Sequence, residues 1–324
     1  MISSTGIYEG TSFDPYRNLA VEQVLLENVA KDQCILYLWQ NANTVVIGRN
    51  QNPWKECRTA LLQEEGGHLA RRLSGGGAVY HDLGNLNFTF LMPQPDYNVD
   101  RQLTVIQRAV ELCGLATERS GRNDVLIQGR KFSGNAFYKN GRQAYHHGTL
   151  LVDVDKEKLG RYLSPSKAKL QAKGVDSVRS RVANLREFAP DLGIEDLKNA
   201  MIRAFSEVYG CTAQRISEES IDLRRVEELT QRNGSHQWLF DQSVPFTASC
   251  EERFDWGGLQ LDLQIRNSVI AGAKVYTDSM DWELAPRLEQ ALTGCPFLPE
   301  AIRSRLAEME NGGQLTDFIL RGFF

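Results

Sequence analysis

A chain of 324 residues, 42% hydrophobic and 24% charged, has the composition of an ordinary soluble globular protein and is long enough for one large hydrophobic core and a second, smaller one. Its formal net charge of −4 argues against a general nucleic-acid binder, which needs a basic field to neutralise phosphates. No apolar run approaches the roughly 20 residues of a membrane span, and nothing near the N-terminus reads as a signal peptide, so a cytoplasmic location is expected.

Asp14-Pro15 followed by Leu19, Ala20, Val21, Val24, Leu25 and Val29 predicts a capped helix with one apolar face. Short β-rich runs bounded by turn residues predict strands over 35–39, 44–48, 78–80, 86–92, 125–128 and 145–152. Helices are expected over 54–65, 102–113 and 194–209. Strands and helices interleave without regular βαβ alternation, which implies an α+β domain with helices packed on a sheet. Near residue 245 the pattern changes. Leu259, Leu261, Leu263 and Ile265 alternate with Gln260, Asp262 and Gln264 after a Gly257-Gly258 turn, and Asn267-Ser268 turns the chain into a further strand over 269–276. With a helix from Trp282 onward, this makes a small α+β accessory domain over 246–324, after a larger domain over 1–245. The cysteines at 34, 57, 113, 211, 250 and 295 form no C-x-x-C pair and read as free thiols, and the five histidines lack the H-E-x-x-H spacing of a metal site.

The run Arg71-Arg72-Leu73-Ser74-Gly75-Gly76-Gly77-Ala78-Val79-Tyr80-His81-Asp82 joins fixed positive charge to three residues without side chains. Glycines let backbone N–H groups turn towards an anion, and arginine supplies a planar donor fork for phosphate or carboxylate. The bland alternative is a flexible turn beside a solvated arginine pair. Three more polar, glycine-bearing segments follow: Ser120-Gly121-Arg122-Asn123-Asp124, Gly129-Arg130-Lys131-Phe132-Ser133-Gly134-Asn135-Ala136 and Tyr145-His146-His147-Gly148-Thr149-Leu150. Walker A, G-x-G-x-x-G and G-x-S-x-G patterns are missing, so any nucleotide chemistry uses neither a P-loop nor a Rossmann crevice.

The order and wording of these blocks resemble the lipoate-protein ligase A family, ATP-dependent enzymes that attach lipoic acid to carrier proteins. The resemblance starts near Ser12-Phe13-Asp14-Pro15-Tyr16-Arg17-Asn18-Leu19-Ala20 and runs through Thr44-Val45-Val46-Ile47-Gly48-Arg49 and Gln51-Asn52-Pro53-Trp54-Lys55-Glu56-Cys57. It takes in Gly84-Asn85 and 165–185, covers most of the first 240 residues, and extends more loosely to the tail from Glu251. It implies a large mixed-sheet domain of the lipoyl/biotinyl ligase type with a small C-terminal accessory domain. By the same resemblance, Lys131 contacts both the acyl carboxyl oxygen and the α-phosphate, and is the catalytic residue. Arg72, Ser74, Gly75, Gly76, Gly77, Ala78, Val79 and Tyr80 face the nucleotide, with Asn123 and Asp124 near the phosphate and Asp124 on its Mg2+. Ser133, Gly134, His147 and Arg181 complete the ligand contacts. The implied substrates are ATP and lipoate, or octanoate in its place. The implied partners are the lipoyl domains of 2-oxoacid dehydrogenases and the glycine-cleavage H protein.

Read from the residues alone, His147 is either a core histidine or a ligand contact, Ser74 orients or caps its loop, and Asp82 is a turn residue. The stretch 167–181 carries five cations against one acid and is either a solvated face or a flap that closes over the phosphates and excludes water. The apolar part of lipoate needs a narrow aliphatic tunnel beside the glycine-rich loop. Three rival readings share some of these features. An octanoyltransferase would need a cysteine where Asn123-Asp124 stand, and there is no thiol between Cys113 and Cys211. An ATP-independent lipoyltransferase using preformed lipoyl-AMP shares the same blocks. A non-catalytic adenylate-binding protein would have little use for intact Arg72, Asn123, Asp124 and Lys131.

Overall fold

Helix α1 (Pro15–Asn28) begins where Asp14 accepts a hydrogen bond from the Tyr16 N–H, with Pro15 in the first turn, where its missing N–H costs nothing. The computed structural model describes residues 2–120, 124–163, 182–240 and 248–324. Asn123, Arg181, the 167–181 stretch and the expected boundary near 245 lie outside the described residues.

Beneath α1 lies an eight-stranded sheet made of β1 (Ser4–Glu9), β2 (Gln33–Trp39), β6 (Asn85–Pro93), β7 (Glu118–Ser120), β8 (Asp124–Ile127), β9 (Arg130–Lys139), β10 (Gln143–Leu151) and β11 (Gln214–Arg215), ordered β11-β1-β2-β6-β10-β9-β8-β7. Strand β1 runs parallel to β2 and β11, and the remaining pairs are antiparallel, so the sheet is mixed. Side chains alternate across it, as a period of two requires. Cys34, Leu36 and Leu38 of β2 enter one core with helices α4 (Val99–Leu112) and α6 (Ile194–Tyr209). Ile35, Tyr37 and Trp39 enter the other with α1. A second, three-stranded sheet of β3 (Thr44–Ile47), β4 (His68–Arg71) and β5 (Val79–His81), ordered β4-β3-β5, lies on that α1 side, where Val46 and Ala70 join the same core.

Two expected elements came out differently. The single helix expected over 54–65 is two short ones, α2 (Pro53–Glu56) and α3 (Thr59–Glu64), because Cys57 is extended and bridges to Leu163. The polar segment from Arg130 is a ten-residue strand, β9, held by pairing to β10 on one side and β8 on the other, so tertiary pairing overrides its weak β-propensity.

The C-terminal part is a three-stranded antiparallel sheet of β12 (Ala248–Phe254), β13 (Gly257–Arg266) and β14 (Val269–Thr277), covered by three helices beginning with α9 (Leu284–Leu292). Leu259, Leu261 and Leu263 meet Val275 and Leu288 in a core of their own. Asn267 and Ser268 both take positive φ, the conformation a two-residue hairpin turn demands. The accessory domain docks on the large domain through Asn50: the Thr277 N–H donates to Asn50 O at 3.0 Å, and the Asn50 side chain donates from Nδ2 to Trp282 O at 2.8 Å. Among the described residues no helix is long and apolar enough to cross a membrane, and all six cysteines are free thiols.

Candidate active site

The end of strand β4 and the residue after it supply two adjacent arginines, Arg71 and Arg72, and both are buried. Arg71 donates to the carbonyls of Gly48, Arg49, Gln51, Trp238 and Leu239, and so ties the turn after β3 to the chain near residue 238. Arg72 donates from Nε to Ser74 Oγ at 3.0 Å, from Nη1 to Val46 O at 3.1 Å, and from Nη2 to Gly75 O and Gly77 O, both at 2.7 Å. The glycine loop therefore curls around a guanidinium whose donors are taken up largely by the loop's own oxygens. Burial lowers both guanidinium pKa values to about 10, which still leaves them charged at neutral pH. Gly76 has φ +87°, where a side chain is strained, and a Cβ on Gly48 would overlap the Gly76 carbonyl, so the turn is as tight as glycine permits. The Gly76 N–H is engaged by Ser279 O of the accessory domain at 2.9 Å.

A buried polar chain supports the loop from behind. Ser74 Oγ lies 2.8 Å from His147 Nε2, His147 Nδ1 lies 2.8 Å from Glu22 Oε1, and Thr89 Oγ1 donates to the same carboxylate oxygen at 2.7 Å. A carboxylate can only accept, so His147 donates from Nδ1. The adjacent histidine points the other way. His146 is wedged between Gln102 Oε1 and Asn135 Oδ1 among phenylalanines, and burial holds its pKa down to about 3. Strand alternation thus assigns His147 to the site and His146 to the core.

Lys131 reaches the site through an irregularity. Val125 pairs with Ser133 but Leu126 pairs with Lys131, which leaves Phe132 as an extra residue on β9. Such a bulge re-aims the side chains beside it. Phe132 is sunk in the core, while Lys131 Nζ lies 3.1 Å from where a Cβ on Gly134 would stand. Regular alternation would have put Lys131 and Gly134 on opposite faces.

These groups converge on a cavity of about 190 Å³ between the large sheet, α1 and the small sheet. Of the residues expected from sequence, Arg72, Gly76, Gly77, Ala78, Val79, Lys131, Gly134 and His147 line it. Ser74 stands behind the wall, bonded to Arg72 and His147, and Gly75 is pressed against Ser279. The Tyr80 side chain enters a different core, with its hydroxyl donating to Asn43 Oδ1 at 3.1 Å. Ser133 is fully buried and is not among the lining residues. Asp124 opens β8 with its backbone opposite Gly134. Sequence reasoning missed Leu19, Trp39, Val46, His81, Asn87 and, from the accessory domain, Met280, all of which line the cavity, and the Glu22 carboxylate behind His147. One signal was available: Asn85, Asn87 and Thr89 alternate with Leu86, Phe88 and Phe90 in a strand that is buried almost throughout, and polar residues so placed need a purpose.

A narrow and largely apolar cavity, rimmed by an ammonium group and a glycine loop that encloses an arginine, suits a carboxylic acid with a long tail. Residues 14–206 match the model of the lipoyl protein ligase A/B catalytic domain, and residues 243–321 match that of the bacterial lipoate protein ligase C-terminus. The chain belongs to the lipoyl protein ligase A/B catalytic-domain family. It is similar to LipL1 of P. falciparum, solved in complex with lipoate, at 26% identity over 98% of this chain and 100% of that one, with a TM-score of 0.88. It is also similar to a bipartite lipoate protein ligase from Thermoplasma acidophilum, studied with its E2 lipoyl domain, at 27% identity over 75% and 98% of the two chains and a TM-score of 0.66. A lipoate-protein ligase A bound with ATP matches at 25% identity over 74% of this chain and 98% of that one, with a TM-score of 0.63.

Proposed function

We propose that this chain is a cytoplasmic ATP-dependent lipoate-protein ligase. A carboxylic acid has no good leaving group, and AMP supplies one. The lipoate carboxylate attacks the α-phosphorus of ATP, the bond to the bridging oxygen breaks, and pyrophosphate departs to leave lipoyl-AMP. The amine of a carrier lysine then attacks the acyl carbon, AMP leaves, and an amide forms with loss of the amine proton. Two anions must meet in the first step, so the site needs fixed positive charge in a place with little water.

Lys131 fills that role by contacting both the carboxylate and the α-phosphate. The observation that supports this reading most strongly is the bulge at Phe132, which turns Lys131 into the same cavity as the Arg72 loop. Arg72 has most of its donors engaged on loop oxygens, and its part is to shape the loop and supply a permanent field, with the Gly77 to Tyr80 backbone facing the nucleotide. Mg2+ arrives on triphosphates with one or two protein carboxylates and would screen the phosphate charge. Asp124, with Asn123 beside it, would hold the ion, as the resemblance to the family implies. The acceptors are lipoyl domains of 2-oxoacid dehydrogenases and the glycine-cleavage H protein, in keeping with the E2 lipoyl domain studied with the T. acidophilum relative.

The test is exchange of labelled pyrophosphate into ATP. The protein should support exchange only with lipoate present, and Lys131→Ala should abolish it without changing thermal unfolding. Transfer from supplied lipoyl-AMP with no exchange would identify an ATP-independent transferase and overturn the reading.

A further inference from the structure

The lipoate reading leaves one feature of the cavity without an explanation. Its floor is apolar, built from Leu19, Trp39 and Val46, yet two buried N–H donors belong to residues lining it and have no partner. The first is His81. Asn18 Nδ2 donates to Asn41 Oδ1 at 3.0 Å, which fixes the Asn41 amide so that its Nδ2 faces His81 Nδ1 at 3.2 Å. An amide nitrogen can only donate, so Nδ1 accepts and the proton of the neutral ring sits on Nε2. His81 is neutral because burial, the Arg72 charge and His147 lower its pKa to about 3, and it is 4% exposed. The second is Asn87, which is 1% exposed: Asn85 Nδ2 donates to Asn87 Oδ1 at 2.8 Å, leaving Asn87 Nδ2 and Asn85 Oδ1 both unpaired.

The sheet register sets the distance of Asn87 from the proposed reacting end, and His81 stands beside Trp39, the β2 partner of Asn87, with ring centroids 6.2 Å apart. Asn87 pairs with Thr149, and Thr149 pairs with Gly134, beside which the Lys131 ammonium stands. Two inter-strand steps span about 10 Å, the length of a medium-chain acid. A carboxylate at Lys131 therefore places the far end of its tail near His81 and Asn87.

Resting on that reading of the site, we propose that His81 and Asn87 are specificity-determining residues that recognise hydrogen-bond acceptor atoms at the far end of the acid, namely the two sulfurs of the dithiolane ring. A plain hydrocarbon tail would bury both N–H groups against methylenes and leave them dry and unpaired, whereas sulfur offers lone pairs, weak acceptors individually. Sites built to bond a polar group reject the analogue that lacks it more strongly than apolar pockets sort by size.

The experiment measures by calorimetry the binding of lipoate and of cyclopentyl-pentanoic acid, the same ring and chain with the sulfurs replaced by carbon. Wild-type protein should bind lipoate about tenfold more tightly, equal to 1.4 kcal/mol. In His81→Phe and in Asn87→Leu the gap should shrink towards about twofold. Both acids are titrated into one preparation, so the ratio does not depend on the fraction of variant that folds. Equal affinities in the wild type, or a gap that survives in both variants, would overturn the proposal. Lipoate-dependent pyrophosphate exchange is measured alongside. A gap without exchange leaves this inference standing and removes the ligase reading, exchange without a gap does the reverse, and failure of both acids to bind removes both.

Discussion

Two glycines on neighbouring strands should respond oppositely to the same added methyl group. A Cβ on Gly134 would stand 3.0 Å from Lys131 Cε and 3.1 Å from Nζ, with Thr149 Oγ1 at 3.8 Å. Only the end of a flexible side chain must yield, by a few tenths of an ångström, so Gly134→Ala should change stability by less than about 0.5 kcal/mol. That end is the proposed catalytic ammonium. A misplacement of about 1 Å can cost a hundredfold in rate, so a shift of a few tenths should lower lipoate-dependent pyrophosphate exchange by about tenfold. On β10, a Cβ at Gly148 would meet Gly134 O at 2.5 Å, Phe88 Cζ at 2.6 Å and Asn135 Oδ1 at 2.9 Å. Backbone and a packed core ring cannot step aside, and overpacking of this kind costs about 1–3 kcal/mol, or roughly 3–10 °C in melting temperature. Thermal unfolding and exchange measured on both variants separate the two effects. Wild-type exchange by Gly134→Ala would refute the placement of Lys131, and equal loss of melting temperature in both would refute the packing argument.

Glu22→Ala removes the acceptor of both His147 Nδ1 and Thr89 Oγ1 in a site that is 2% exposed, and should cost about 3 kcal/mol or more in urea unfolding. Glu22→Gln keeps an acceptor oxygen and should lose less, so equal stability of the alanine variant and the wild type would show that the buried chain is dispensable. His81 and His146 both have folded pKa values near 3, below the unfolded value of about 6.5. The unfolded chain therefore binds more protons between those values, and the stability these neutral rings contribute is fully present above pH 6.5 and is lost as pH falls towards 3. Together they should remove roughly 4 kcal/mol between pH 7 and pH 5, and His146→Gln should halve the slope of a urea-midpoint series. A flat profile over that window would contradict their neutral burial.

The outline of the fold was legible because period and capping are local properties. Asp14-Pro15 marked the start of α1, alternating leucines marked β13, and the helix over 194–209 was recovered as α6. The site was legible as a set of blocks and much less so as a geometry. Alternation alone would turn Lys131 away from Gly134, and the extra residue that reverses this, Phe132, is defined only by its partner strand. Arg72 read as a donor fork open to a ligand, but its burial inside the loop directs those donors to carbonyl oxygens, which only the folded chain reveals. The sequence left His147 as either a core histidine or a ligand contact, and the strand gave it the cavity face while His146 took the core. Met280 reaches the cavity from the connection after β14, about two hundred positions from Gly76, a contact that no local pattern can carry.

The proposed chemistry turns on one ammonium group, and a crystal structure with lipoyl-AMP bound would locate it. Lys131 Nζ should lie within about 3.2 Å of both the acyl carbonyl oxygen and an α-phosphate oxygen, with the ring sulfurs at the His81 end of the cavity. A lysine more than about 4 Å from either oxygen, or an adenylate seated away from the Arg72 loop, would contradict it.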